Sequence, residues 1–233
     1  MKMIIMFFLL GVAFSSNAQD KKGIHLPMIT RSIGVSYQQF DGINSRIAGL
    51  PQYKKLNDYA ATLGLGWLHE EKRFISAGGL TVGSSMSGDR DKKSSSIRFI
   101  SVSMDLGYDL LKSEKIMLYP LAGLGFQGYQ AIFYKDNSAV NFNDVLISPE
   151  VQNNISSVKF NNAFLVYRLG FGFSVKSPKH PSSSIGIQGG YSGSFKDRNW
   201  RSNENQVLGN APEDKISQFF LGLVFTCKPM FMR

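Results

Sequence analysis

The feature that most constrains this chain is a two-residue alternation of apolar and small polar side chains, which recurs in eight stretches. Successive side chains of a β-strand point to opposite faces, so this period predicts strands with one apolar and one polar face. The clearest stretch is 100–109, where Met104 and Leu106 alternate with Ser103 and Asp105. The predicted strands lie near residues 31–40, 58–68, 73–86, 100–109, 115–133, 165–175, 185–195 and 218–226.

The connections between these strands alternate between long and short. The long connections span residues 41–57, 87–96, 134–160 and 196–215. The short connections span residues 69–72, 110–114 and 176–182. Neighbouring strands joined in this rhythm predict an antiparallel up-and-down sheet with its long loops on one side. Its eight strands are enough to close that sheet into a barrel.

The composition of the polar phase indicates which face of the barrel points outward. A face in water carries many Lys, Glu and Arg residues, whereas this phase consists mainly of Gly, Ser, Thr and Gln. Small uncharged side chains suit the narrow interior of an eight-stranded barrel. The apolar phase then faces lipid, and the sequence predicts an all-β, eight-stranded transmembrane β-barrel. The aromatic residues expected in its interfacial girdles are Tyr37, Tyr59, Trp67, Tyr108, Tyr119 and Tyr167.

The N-terminus has the pattern of a signal peptide. Lys2 precedes an apolar run at 4–14, and Ser16-Asn17-Ala18 offers small residues before a cleavage point. The apolar run is shorter than the roughly 20 residues that a membrane-spanning helix needs. We therefore expect a signal peptide at 1–18 and one barrel domain at 19–233. An even number of strands would return both termini to the periplasm.

The chain carries a formal net charge of +9. Such an excess can indicate nucleic-acid binding, but here the basic residues are scattered among acidic ones and an exported protein has little access to nucleic acid. The phosphates and carboxylates of outer-leaflet lipopolysaccharide are the anionic partners that we expect instead. A generally solvated basic surface explains the charge equally well.

The strand pattern and loop rhythm resemble those of the small eight-stranded outer-membrane barrels, of the OmpA transmembrane-domain and OmpX kind. The segment Asn17-Ala18-Gln19 resembles the leader ends of exported Bacteroidetes proteins. The resemblance implies a protein of the Gram-negative outer membrane that acts without catalysis, through its long loops or as part of the envelope structure. Such barrels commonly end on an aromatic residue, whereas here Phe225 is followed by Cys227, Pro229 and Phe231.

Three other functions stay open at this point. The chain could be an accessory subunit of a secretion or assembly complex of the outer membrane, with that envelope protein complex as its partner. A stand-alone barrel would instead bind an extracellular ligand through its loops. The chain could also form a narrow porin-like channel, although eight strands leave little room for solutes. A lipid-modifying enzyme has the least support, because such barrels resemble this chain in size but use a histidine near the outer leaflet.

The histidines argue against catalysis and against metal binding. His25, His69 and His180 are all predicted on the periplasmic side, away from outer-leaflet lipid. A histidine becomes a candidate base only when it reaches a nucleophile, so we predict no catalytic residue. No two histidines share ligand spacing and Cys227 has no partner cysteine, so we expect no metal site and no cofactor.

Two charges in the predicted lumen phase form a candidate pair. Asp105 and Arg168 both lie several residues below the outer strand ends. A charge in a packed interior is costly unless it is paired, so we expect them to meet across the lumen, or each to pair with another polar group or with water. Arg98 lies in the lipid-facing phase at the outer end of its strand, where it could extend towards lipid phosphates.

The long loops carry the candidate recognition residues. Phe142 lies in the third long connection, and Trp200 lies between Arg198 and Arg201 in the fourth. Aromatic residues and arginine are enriched at interfaces, so these four residues are candidates for binding a partner. A loop that folds over its own barrel mouth is the alternative explanation for the aromatic residues of both connections.

Overall fold

The computed structural model describes residues 27–89, 92–178 and 183–227. The predicted signal peptide, His25, His180 and the tail with Pro229 and Phe231 lie outside the described residues, so those predictions stay as they are. No helix in the described part of the chain is long and apolar enough to cross a membrane.

The described residues form eight long strands, three short strands and three helices, joined by loops. The long strands are β1 (Met28–Gln38), β2 (Tyr59–Glu71), β3 (Phe74–Gly88), β4 (Ser94–Tyr108), β5 (Ile116–Tyr134), β6 (Val158–Lys176), β7 (Ser184–Ser194) and β11 (Ser217–Cys227). The short strands are β8 (Arg198–Asn199), β9 (Arg201–Ser202) and β10 (Glu213–Asp214). The helices are α1 (Asp41–Ala48), α2 (Phe142–Ile147) and α3 (Pro149–Ile155).

The long strands form a closed antiparallel barrel, as the sequence predicted. Each strand pairs with its neighbours along the chain, and β11 pairs with both β7 and β1 to complete the ring. Following cross-strand partners once around the barrel from Tyr59 leads back to β2 at His69, ten residues further along. This offset requires tilted strands, and strands in barrels tilt by about 35–45°.

The outer face of the barrel is a continuous apolar belt. Each long strand contributes large apolar side chains that are exposed in the isolated barrel, among them Ile33, Leu63, Val82, Val102, Phe126, Leu169, Ile187 and Leu221. Rings on the outer face contact one another near the ends of the strands, as in the pairs Tyr37–Tyr59 and Phe74–Tyr108. An apolar band with aromatic rings at both rims is the lipid-facing surface of a membrane barrel.

One of the six predicted girdle residues points the other way. Tyr119 is only 4% exposed and lies inside the barrel. Its ring packs on Gly172, its cross-strand partner on β6, where a side chain would collide with the ring. The prediction for Tyr119 was wrong because this residue is in phase with Gly123 and Gln127, the inward-facing residues of β5.

Two of the connections are half as long as the sequence predicts. Strands β2 and β3 are joined by Lys72 and Arg73 alone, both with positive φ, as in the tight turns that suit hairpin twist. The Arg73 guanidinium donates to the backbone oxygen of Asp109, so the β2–β3 turn is joined to the connection between β4 and β5. The second long connection shrinks to 89–93, because β3 and β4 continue as a paired serine-rich ribbon up to Gly88 and Ser94.

Four connections join strand ends on one side of the barrel, which we call the loop side: L1 (39–58), L2 (89–93), L3 (135–157) and L4 (195–216). The opposite end, with the short connections, is the turn side. Helix α1 lies in L1, helices α2 and α3 lie in L3, and the three short strands lie in L4. Strands β5 and β6 are the longest, at 19 residues each, and β9 pairs with the loop-side end of β6.

Candidate functional site

The lumen contains two apolar clusters with a polar layer between them. The loop-side cluster combines strand residues with loop residues: Phe40, Ile43, Ile47, Leu56, Ala60, Ile97, Phe99, Tyr129, Ala131, Phe133, Phe164, Val166, Trp200 and Ile216. The turn-side cluster is smaller: Leu68, Ile75, Met117, Tyr119 and Leu121. The expected lumen of small polar residues therefore exists only between them, because large apolar side chains occupy the inward phase at both ends.

Asp105 and Arg168 meet in the polar layer. Arg168 Nε donates to Asp105 Oδ1 at 3.1 Å, and both side chains are largely shielded from solvent. The guanidinium also lies over the Phe220 ring, 4.6 Å from its centre. An ion pair with this degree of burial depends on the presence of both partners, since either charge alone would be costly to bury.

The pair lies along the barrel wall, whereas the sequence alone predicts a pair that reaches across the lumen. Asp105 on β4 and Arg168 on β6 are both cross-strand partners of Gly123 on β5. The two side chains therefore meet over this glycine, and a side chain at position 123 would collide with the Asp105 carboxylate. Gly123 provides the space that the ion pair occupies.

Towards the loop side, a hydrogen-bonded network crosses the lumen. The Tyr129 hydroxyl lies 2.6 Å from Gln38 Oε1 and 2.9 Å from Gln127 Oε1. Gln127 Nε2 in turn donates to Gln218 Oε1 at 3.0 Å. These four buried side chains link β1 and β11, the first and last strands of the barrel, to β5.

A buried carboxylate holds L1 and L4 together over the barrel mouth. Asp214 accepts hydrogen bonds from the backbone N–H groups of Gly42 (2.7 Å) and Ile43 (3.0 Å) in α1. It also accepts one from Trp200 Nε1 at 2.6 Å. Burial raises the pKa of the Asp214 carboxyl, while these N–H groups act in the opposite direction. We call Asp214, Gly42, Ile43 and Trp200 the mouth clasp.

The mouth clasp corrects the expectation for Trp200. This side chain is 1% exposed and packs near Phe40 in the loop-side cluster, so it is not an exposed recognition residue. The alternative explanation, a loop folded over its own barrel mouth, describes L4 correctly. Phe142, in contrast, lies on the surface of L3 with 74% of its area exposed, beside the exposed residues Leu146 and Ile147.

The three candidate arginines lie outside the lumen on the loop side. Arg98 is exposed on the outer face of β4, immediately above the apolar belt. Arg198 is exposed and donates to the backbone oxygen of Ala163 on β6 at 3.0 Å. Arg201 in β9 is the cross-strand partner of Asn161. The structure brings these cations to one side of the barrel, a grouping that sequence spacing does not reveal.

The described residues include one histidine, His69, near the turn-side end of β2. Its Nε2 lies 3.9 Å from Glu71 Oε2, on a partly exposed surface. Turn-side residues also form the Lys176–Glu70 ion pair, at 2.8 Å. Within residues 27–89, 92–178 and 183–227, no group of three or more His, Cys, Asp or Glu side chains is arranged to hold a metal ion.

Comparison with solved structures finds outer-membrane barrels. A major outer membrane protein from Thermus thermophilus aligns with a TM-score of 0.48 at 12% identity, over 87% of this chain and 100% of that chain. Ail, the attachment invasion locus protein of Yersinia pestis, aligns with a TM-score of 0.47 at 16% identity, over 86% and 97%. The outer membrane protease OmpT from Escherichia coli aligns with a TM-score of 0.38 at 9% identity, over 89% and 98%.

No protein-family model matches the chain, and no curated protein matches its sequence. The chain is a closed eight-stranded antiparallel β-barrel with an apolar outer belt, and the solved structures that it resembles include both an attachment invasion locus protein and an outer membrane protease.

Proposed function

We propose that this chain is a non-enzymatic barrel of the outer membrane that presents a folded surface on its loop side for interaction with other molecules. The observation that carries the proposal is the contrast between a filled lumen and an elaborated loop side. Two apolar clusters and a polar layer occupy the interior, and the mouth clasp covers it. L3 meanwhile exposes Phe142, Leu146 and Ile147.

The packing of the lumen supports a closed barrel over a porin-like channel. Solute flow needs a continuous water-filled path, and apolar side chains in contact leave none. We expect the reconstituted protein to show no stepwise conductance in planar bilayers. A variant with α1 replaced by a glycine-serine linker and with Met117→Ser and Tyr119→Ser should leak, because both clusters are then opened. Discrete channels from the unmodified protein would contradict this proposal.

The position of His69 supports a non-catalytic role. A hydrolase or acyltransferase that acts on outer-leaflet lipid needs its base at the loop side, within reach of a nucleophile. His69 lies at the opposite end of the barrel, and its ring faces the carboxylate of Glu71. Lipid A from strains with and without this protein should therefore give identical mass spectra.

An accessory role in an outer-membrane complex is the second candidate, and the exposed apolar side chains of L3 favour it. Isolated exposed apolar residues are normal, but adjacent ones on a loop mark contact surfaces. A photo-crosslinking residue at position 142 should give a discrete adduct with an envelope protein. The matched control is position 153, a polar residue of α3 in the same loop. Equal adducts from both positions would contradict a specific L3 contact.

A further inference from the structure

Four polar residues form one outward row across adjacent strands on the loop side. Arg98 on β4 is the cross-strand partner of Gln130 on β5, which is the partner of Asn161 on β6, which is the partner of Arg201 on β9. We call these four residues the polar row. Gln130 Nε2 donates to Asn161 Oδ1 at 3.3 Å, so the two amides form a continuous polar strip between two arginines.

The polar row begins at the upper edge of the apolar belt and climbs away from it. Continued in the other direction, the same row of partners passes through Ser84 and Ala61 to Val35, in the middle of the belt on β1. The row rises because the strands are tilted. Strands are about 4.8 Å apart, so Arg98 and Arg201 are separated by about 14 Å along the row. Arg98 therefore lies at the level of lipid headgroups and Arg201 lies above it.

The cations around the polar row are not neutralised within the described part of the protein. Arg198 donates to the backbone oxygen of Ala163, and both Ala163 and Lys159 lie two residues from Asn161 on β6. The two ion pairs of Arg168 and Lys176 and the contact of His69 with Glu71, which are those found among the described residues, use none of Arg98, Lys159, Arg198 or Arg201. Unpaired cations beside amides are suited to anionic oxygen ligands.

A groove continues the polar row on its upper side. It has a volume of about 520 Å³ and is lined by Gln152, Ile155, Ser156, Ser157, Lys159 and Asn203. Asn161 Nδ2 donates to the backbone oxygen of Asn203 at 3.5 Å, which connects the row to the groove. The lining combines amides, hydroxyls and one ammonium group with a single large apolar side chain. Such a surface can exchange hydrogen bonds with the hydroxyl groups of a saccharide.

We propose that the polar row and its groove bind a phosphorylated glycolipid of the outer leaflet. Arg98 lies at the edge of the apolar belt, so it contacts the phosphate nearest the acyl chains. A guanidinium can pair with such a phosphate through two hydrogen bonds. Gln130 and Asn161 contact the sugars that follow, and Arg201 and Lys159 meet anionic groups further along the saccharide. The proposal extends the hypothesis for Arg98 to a complete binding track, and it rests on the outer-membrane location of the barrel.

The test uses the full barrel, refolded in phosphatidylcholine nanodiscs, and a lipopolysaccharide that consists of lipid A and its inner-core sugars. Binding is measured by native mass spectrometry. Arg98→Ala and Arg201→Ala should each weaken binding about tenfold, the effect of losing one charge-assisted contact. The matched control is Arg31→Ala, which removes an exposed outward arginine near the turn side of β1. It should change the affinity by less than about twofold.

Two further arms separate the glycolipid from simpler ligands. Gln130→Ala with Asn161→Ala should weaken binding of the lipopolysaccharide with inner-core sugars and leave binding of lipid A alone unchanged. Equal effects of Arg98→Ala and Arg31→Ala would overturn the proposal. Displacement of the lipid by an equal concentration of inorganic phosphate would overturn it as well, since Arg98 would then be a simple anion site. The purified barrel reports binding whatever its role in the cell, so this result is independent of the proposed function.

Discussion

Truncating either Asp105 or Arg168 alone is expected to destabilise the barrel more than truncating both together. Each single alanine variant leaves an unpaired charge in the polar layer, and the loss of one partner of a buried pair costs about 3–5 kcal/mol. In the double variant neither charge remains, so the free energy of unfolding should recover a large part of that loss. The contact between the Arg168 guanidinium and the Phe220 ring is lost in Arg168→Ala and in the double variant alike. Its loss therefore does not change the expected gain in stability from Arg168→Ala to the double variant.

The free energy of unfolding is measured by urea titration in phospholipid vesicles, with the gel mobility of the heat-sensitive folded form as a second readout. Ser103→Ala is the matched control, because Ser103 lies in the same inward phase of β4, two residues from Asp105. A double variant whose loss equals the sum of the two single losses would show that Asp105 and Arg168 act independently. Reversing both charges gives a further check, since the paired reversal should be more stable than either single reversal.

The same ion pair can be disturbed without touching a charge. Gly123→Ala places a methyl group against both the Asp105 carboxylate and the Met104 backbone oxygen, so it should weaken the ion pair and also strain the contact between β4 and β5. Gly128→Ala is the control on the same strand, because its methyl group faces outward and meets Ile100 at an ordinary 3.6 Å. Equal stabilities of these two variants would show that the space over Gly123 is unimportant.

Removing the Asp214 carboxylate is expected to release L1 and L4 from the barrel mouth while the strands stay folded. Asp214→Ala leaves three N–H groups without their acceptor, at Gly42, Ile43 and Trp200. Hydrogen bonds to charged groups contribute about 1.5–3 kcal/mol each, and water recovers part of this once the loops open. We expect a local loss of about 2–4 kcal/mol, which corresponds to at least about thirtyfold faster amide exchange in α1.

Fluorescence gives a second readout of the mouth clasp. The chain has two tryptophans, so Trp67→Phe leaves Trp200 as the reporter. Its emission should shift to the red in Asp214→Ala as the indole becomes exposed. Gly42→Ala should have a similar effect, since its methyl group would collide with the Glu213 carbonyl, whereas Gly49→Ala meets only Arg46 O at 3.8 Å and serves as the control. Unchanged emission in both clasp variants would contradict this role for Asp214.

The sequence predicts the barrel wall well because alternation is a local property. Each inward residue on β4, such as Ser101 or Asp105, follows from the phase of its neighbours, and the phase alone places Arg168 in the lumen. It does not reveal that Gly123 brings Asp105 and Arg168 together along the wall, since this depends on the register between three strands. The same register assembles the polar row from residues on four different strands.

The loops are harder to predict because their contacts join distant parts of the chain. Trp200 and Arg198 lie in the same predicted loop, and the sequence does not indicate that Trp200 is buried whereas Arg198 is exposed. The difference comes from Asp214, which gives the indole N–H a partner inside the mouth. The serine-rich ends of β3 and β4 look like loop because they lack apolar residues. They form strands because they pair with each other, and Ser95 donates to the backbone oxygen of Lys55 in L1.

The mouth clasp also has a consequence for the order of assembly. Its two halves, Gly42 and Asp214, are 172 residues apart in the sequence. They lie in the first and last loops, which become neighbours only when β11 pairs with β1. The loop-side surface therefore reaches its final shape after the last strand has closed the ring. A conformation-specific antibody against the joined L1 and L4 would recognise finished barrels and ignore partly inserted ones.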